Sequence, residues 1–411
     1  MTAADPSAAD PVKRRHVFYI PGYDPIPPRR YRELYRSEAA EQAKISAYHI
    51  EINTKKTDHA YGWTVRSEIG GRKVFSEISV LVWSDIVRDS MSGGIVQTYL
   101  QLLRTAWVYI STGALWRLAR LRKGPVIAAL FPVAALLVQL ACGLGVFYGL
   151  WRGGAALFGS GLVSSALAAL VGACAGVAVL RWFKARDGRI FAYYLMHDFA
   201  FAARWRGANP PQLEARIAAF SAQIERALQE GRADEVLVVG HSSGAHLAVS
   251  ALADLIRKGL PETHPKLAFL SLGQAIPMMT FLPDAKRLRR DLQFLSGSDA
   301  LTWVDVSAPG DGCAFALCDP VAVSGVAPPE KRWPLVLSAA FTQTLSPARW
   351  KALRWRFFRL HFQYLCAFDR PGAYDYFQIT AGPQSLAERF RDRSPSGSRI
   401  EKAVSGYRSM A

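Results

Sequence analysis

Polar residues dominate positions 1–15, which predicts a disordered start. The first apolar run, His16-Val17-Phe18-Tyr19-Ile20, is β-type and closes at Pro21-Gly22-Tyr23-Asp24-Pro25. A helix is predicted over about 30–44, then strands at 48–54, 61–68 and 73–83, the last two joined by a turn at Gly70-Gly71. A helical stretch over about 94–121 leads into two charge-free runs, 126–150 and 155–180. Beyond them, 190–206 and 211–229 read as helices, the second with Ile217, Phe220, Ile224 and Leu228 at helical spacing. An apolar strand near 235–239 then meets Gly240-His241-Ser242-Ser243-Gly244 and an apolar-periodic helix to about 257. Further strands are predicted at 267–272, 301–306 and 335–341, and from about 391 the polar chain is expected to fray.

Strands separated by helices over the second half predict an α/β fold: a mainly parallel sheet flanked by helices on both faces. The strands before residue 94 are too few for a core, and the second half lacks first strands. The economical solution is one domain split in sequence and interrupted by a helical hairpin. The expected divisions are a tail at 1–15, the first part of the domain at 16–95, a juxtamembrane helix at 96–125, the hairpin at 126–180, the rest of the domain at 181–390, and a C-terminal tail at 391–411.

Each charge-free run of about 25 residues reaches about 37 Å, enough to cross a hydrocarbon core of about 30 Å with some tilt. Trp151-Arg152-Gly153-Gly154 is then expected to be the tight turn of a transmembrane hairpin. Gly145-x-x-x-Gly149 and Gly172-x-x-x-Gly176 offer small-residue faces for close helix packing. Arg117, Arg120, Arg122 and Lys123 precede the first run, and Arg181, Lys184, Arg186 and Arg189 follow the second. The positive-inside rule therefore expects both soluble segments and both termini on the cytoplasmic side of an inner or plasma membrane. The start of the chain has no apolar h-region of a secretory signal.

The formal net charge is +17 over 411 residues. No nucleic-acid recognition motif accompanies it, and basic residues alternate with aromatics at 349–359, which suits an anionic lipid surface or a solvated helix face. Five cysteines, two of them (Cys142 and Cys174) within the apolar runs, show no disulfide or metal spacing and fit a reducing location. There is no metal cluster, phosphate-binding glycine loop or nucleotide fingerprint, so no cofactor is expected.

The chemistry concentrates at Gly240-x-Ser242-x-Gly244. Between an apolar strand and an apolar helix, this pentapeptide forces a serine into a sharp bend and exposes it as a nucleophile. Gly240 and Gly244 are required because the bend brings strand and helix backbones close. A serine hydroxyl needs an imidazole base, and the base needs an orienting carboxylate. His246, His264 and His361 follow Ser242 in the chain, with His246 on the elbow helix and His264 in a loop.

On these residues the chain resembles the α/β-hydrolase superfamily, in which nucleophile, acid and histidine follow in that order. The resemblance implies His361, late in the chain, as base. It implies a carboxylate just past the strand two strands beyond the elbow, so Asp311 is the first candidate acid, with Asp305 and Asp319 as alternatives. The Ser243 N–H would supply one oxyanion donor and the Tyr23 N–H the other, with Gly22 allowing the turn. Pro21 stands where the superfamily usually has His, which is a departure. The implied function is a membrane-anchored serine esterase or lipase acting on a small apolar ester or a lipid, with membrane lipids as partners and homo-oligomers allowed. The rival readings are a non-catalytic protein of that fold that binds or scaffolds at the membrane, and a transporter, the latter poor because the apolar runs carry no charges.

Overall fold

A computed structural model of the chain describes residues 11–54, 61–91, 93–159 and 161–411. Its centre is an eight-stranded sheet in the order β2-β3-β4-β1-β5-β6-β7-β8. The strands are β1 (Arg14–Ile20), β2 (His49–Thr54), β3 (Gly62–Ile69), β4 (Arg72–Val80), β5 (Glu235–His241), β6 (Lys266–Leu272), β7 (Thr302–Ser307) and β8 (Leu335–Ser338). β2 and β3 pair antiparallel, as do β3 and β4, and every other pairing is parallel. β1 lies between β4 and β5, so the two halves of the sequence share one sheet.

The apolar runs of β1 and β5 are covered on both faces, as expected for central parallel strands. Val236 and Val238 face a core formed with α9 (Pro211–Glu230) and α10 (Gly244–Lys258), while Leu237 and Val239 face a second core that includes Tyr31 and Tyr35 of α1 (Arg29–Ser46). One buried ion pair crosses the halves: Arg15 Nε donates to Glu235 Oε2 at 2.6 Å. Arg15 also donates to the carbonyls of Gly382 and Gln384, so its charge is well solvated by the protein.

The stretch over 94–121 is two helices rather than one, α3 (Ile95–Ser111) and α4 (Ala114–Leu121), following α2 (Ser84–Ser90). Gly113 breaks them at φ +69°. Then come α5 (Lys123–Phe158) and α6 (Leu162–Ala185), both long and apolar enough to cross a membrane. Only 28% and 11% of their most apolar stretches is buried, whereas a soluble core helix would be covered. The expected turn at 151–154 is helical, since Ala155 to Phe158 carry the apolar helix onward, and the chain reverses near Gly159 at φ +84°. The packing glycines also differ from expectation. A Cβ on Gly145 or Gly149 would meet nothing within 4 Å, whereas one on Gly172 would lie 2.7 Å from the Phe147 carbonyl oxygen and one on Gly176 2.8 Å from that of Gly143.

At 36 residues α5 is about 54 Å long, well beyond a hydrocarbon core of about 30 Å. Its first turns pack instead with α3 and with α8 (Ala192–Arg204), which follows the short α7 (Asp187–Ile190). The expected disordered start fails from residue 11 on, because Val12 is buried and the Lys13 and Arg14 N–H groups bond Asp234; residues 1–10 lie outside the described residues. The C-terminal tail is not frayed either. Ile400 N–H donates to Leu317 O, Val404 and Ser405 N–H donate to Val323 O, and Arg289 Nε donates to Ser409 O.

Candidate active site

Ser242 stands between β5 and α10 with φ +55°, a left-handed conformation that a residue with a side chain adopts only where its surroundings hold it. Its N–H donates to Leu272 O at 2.9 Å. The flanking glycines are there because the backbones touch. A Cβ on Gly240 would lie 2.7 Å from Ala245 Cα, and one on Gly244 would lie 2.2 Å from Ile20 O. The strand–bend–helix read from the sequence is therefore present, with a half-buried Ser242 facing a cavity of about 400 Å³. That volume falls in the usual range of small-molecule sites, about 300–1,000 Å³.

His361 ends the short helix Phe357–His361 and lines the same cavity. Its Nδ1 lies 2.7 Å from Asp311 Oδ2. Because an ionised carboxylate only accepts, Nδ1 carries the proton and Nε2 the lone pair. Nε2 is buried and has no hydrogen-bond partner among the described residues, and no hydrogen bond joins it to Ser242 Oγ. Asp311, in the turn after β7, also accepts from Tyr364 OH at 3.0 Å and from Cys313 N–H at 2.8 Å. Burial pushes the Asp311 carboxyl up, but His361 and these donors outweigh it and hold the group below the ordinary carboxylate range.

The alternative acids lie elsewhere. Asp305, on β7, is fully buried and accepts from Ser271 Oγ at 2.5 Å. Asp319 caps the helix Pro320–Val323 and pairs with Lys331 Nζ at 2.7 Å. Among the other histidines, His264 bonds Pro265 O, and His246 lines the cavity as a buried imidazole pushed down to about 4 by desolvation.

The loop after β1 approaches the serine closely. A Cβ on Gly22 would lie 2.9 Å from Ser242 Cβ, so only glycine fits. Trp83 Nε1 donates to Pro21 O at 2.8 Å, and Asp24 accepts from Ile26 N–H, Arg30 and Tyr31 OH, which brace the turn. Tyr23 and Ser243 both line the cavity, and neither backbone N–H donates to a protein acceptor among the described residues. Trp83 therefore lies at the N-cap of α2, past the end of β4 at Val80, rather than within a strand.

Two residues with parts in the site escaped the sequence reading. Asp198, on α8, is half-buried in the cavity wall and has no hydrogen-bond partner among the described residues. Burial pushes its carboxyl up to about 7, with His361 pulling the other way. Nothing in the local pattern singles out an aspartate in a helix otherwise read for its apolar positions. His241 lies inside the elbow pentapeptide, where a signal did exist. It is buried and pushed down to about 3, chiefly by desolvation, so the ring is neutral.

Asp311, Cys313 and His361 offer possible metal-ligand atoms within 4.8 Å of one another. The carboxylate and imidazole are already bonded to each other, and burial raises the Cys313 thiol, which keeps its proton; this set suits a hydrogen-bonded dyad better than a metal. No protein-family model matches the chain, and no curated protein or solved structure matches it.

Proposed function

We propose that the chain is a membrane-anchored serine hydrolase of the α/β-hydrolase type that cleaves carboxylic esters of apolar acyl groups. The observation that carries this reading is one cavity holding a strained serine at a strand–helix bend and a buried imidazole bonded through Nδ1 to a carboxylate. Chain order agrees: Asp311 follows the second strand beyond the elbow strand, and His361 comes later.

In this mechanism His361 Nε2 takes the proton of Ser242 Oγ as that oxygen attacks the ester carbon. The oxyanion accepts from the Ser243 and Tyr23 N–H groups. The proton on Nε2 passes to the departing alkoxide, leaving an acyl-serine. Water, deprotonated by the same nitrogen, releases the acid and restores Ser242. Asp311 keeps Nδ1 protonated throughout and stabilises the imidazolium. The hairpin α5–α6 would hold the cavity at a bilayer, and the arginine-rich flanks at 117–123 and 181–189 support a domain on its cytoplasmic side.

One observation favours the scaffold reading: the missing hydrogen bond between Ser242 Oγ and His361 Nε2. Such bonds are often long in unliganded enzymes and tighten with substrate. Fluorophosphonate labelling of membranes holding the wild type, Ser242→Ala and His361→Ala separates the two. Labelling lost in both folded variants is the expected result. A folded wild type whose cavity admits the reagent and still never labels would leave the scaffold.

A further inference from the structure

Beside the catalytic cavity lies a second one of about 150 Å³. Its lining is apolar and comes from the elements that join the hairpin to the domain: Ile110 of α3, Val126, Ala129 and Leu130 of α5, and Met196 and Phe199 of α8. The Tyr109 hydroxyl at its edge already donates to Met278 O, so it offers a guest little polar recognition. A dry apolar cavity of about this size accepts hydrocarbon guests such as benzene.

Two relationships say what that guest is. The two cavities share Pro125, Phe199 and Met278, so the slot adjoins the wall of the chamber that holds Ser242 and His361. On its other side, Ile110 and Leu130 are 51% and 47% exposed, on the surface from which the hairpin springs. Ile110 also belongs to an exposed apolar stripe along α3: Val96, Leu100, Leu103, Trp107 and Ile110. That 3–4 spacing lays one exposed apolar face along α3, and Ile127, Leu130 and Phe131 at the base of α5 are exposed as well, as suits helices that meet a bilayer surface.

We propose that this slot between α3, α5 and α8 binds the hydrocarbon chain of a bilayer-resident acyl substrate, taken up sideways from the membrane, while its ester carbonyl reaches Ser242. The inference rests on the hydrolase reading for what happens at Ser242, but occupancy of the slot by a chain does not. Substrate preference then follows from chain length: a butyryl ester needs only the catalytic cavity, and a palmitoyl ester needs the slot as well.

The test uses the full-length protein in phospholipid nanodiscs. Ser242→Ala protein is irradiated with palmitic acid bearing a terminal diazirine, and adducts are mapped by mass spectrometry. Adducts are expected in 105–110, 126–133 and 196–199, and to fall at least ~10-fold in Ala129→Trp and Ala106→Trp, which fill the slot from opposite walls. Adducts spread along the outer faces of α5 and α6, unchanged in both variants, would assign them to bulk lipid and overturn the proposal. On a Ser242 background, Ala129→Trp should lower palmitoyl-ester kcat/KM at least ~10-fold relative to butyryl-ester kcat/KM. An unchanged ratio, with the chain still crosslinked, would sever the slot from the substrate. Fluorophosphonate labelling of each variant reports an intact nucleophile. A wild type that never labels defeats the hydrolase reading and leaves the crosslinking to decide the slot.

Discussion

His241 Nε2 donates a hydrogen bond to the backbone carbonyl oxygen of His361 at 3.0 Å, and the two rings lie 4.8 Å apart between centroids. The residue before the proposed nucleophile thus holds the main chain of the proposed base, linking the elbow to the late loop. His241→Leu removes the donor and leaves a buried carbonyl unpaired, a loss of about 1–3 kcal/mol. Ester hydrolysis kinetics should show kcat down about 10–100-fold with KM little changed. His241→Gln, which keeps a donor, should recover part of the rate.

Asp311→Asn tests the orienting carboxylate. The amide can present a donor to Nδ1 and so favour the wrong tautomer, as in serine triads, where the loss is about 10⁴-fold. A fall in kcat of about 10³–10⁴-fold is expected for the variant. Tyr364→Phe removes a 3.0 Å donor to Asp311 but leaves the His361 bond, and should cost less than about 10-fold. Equal losses in the two variants would contradict these roles.

The titrating groups that line the cavity give pH slopes of opposite sign. With its carboxyl raised to about 7, folded Asp198 holds a proton that the unfolded chain releases near pH 4. Its contribution is therefore intact below pH 4 and is lost as pH rises through 7. His241 and His246, pushed down to about 3 and about 4, act the other way, costing stability as pH falls below about 6.5. Asp198→Asn should raise the thermal midpoint at pH 8 by an amount worth about 2 kcal/mol and leave it unchanged at pH 4. Thermal scans at the two pH values check this.

Gly244→Ala puts a Cβ 2.2 Å from Ile20 O and 2.6 Å from Pro21 O, both backbone atoms that can move only by displacing the loop of Gly22 and Tyr23. A loss of at least ~3 kcal/mol and of fluorophosphonate labelling is expected. Gly145→Ala is the control. With nothing within 4 Å of its Cβ, it should be neutral or slightly stabilising by thermal unfolding in detergent.

What was legible in the sequence was what short-range pattern encodes. Val236 to Val239, then two glycines two residues either side of Ser242, then a helical period, specify the bend without reference to the rest of the chain. The strands β2, β3 and β4 were equally plain, as was the turn joining the last two at Gly70-Gly71, both at positive φ. The choice among Asp305, Asp311 and Asp319 needed the register of β7 and the position of His361, which only tertiary packing sets. Asp198 enters the cavity because α8 docks on the base of α5, a contact with no local trace. The tail at 391–411 looked unstructured because Ile400, Val404 and Met410 pack singly, without a period to betray them.

β1 is flanked in the sheet by β4 on one side and β5 on the other, and the Arg15–Glu235 pair that joins β1 to β5 spans 220 residues of chain. On a ribosome working at about 5–20 residues per second, that separation is on the order of 10–40 seconds. For that interval β1 has an open edge, of the kind that invites pairing with another chain. Both hairpin helices emerge within the same interval, so in a membrane-anchored protein they would reach the bilayer before the sheet can close. On the proposed reading, biogenesis has a fixed order, insertion first and closure of the sheet second, and the strand that ends the wait is the one that leads into Ser242.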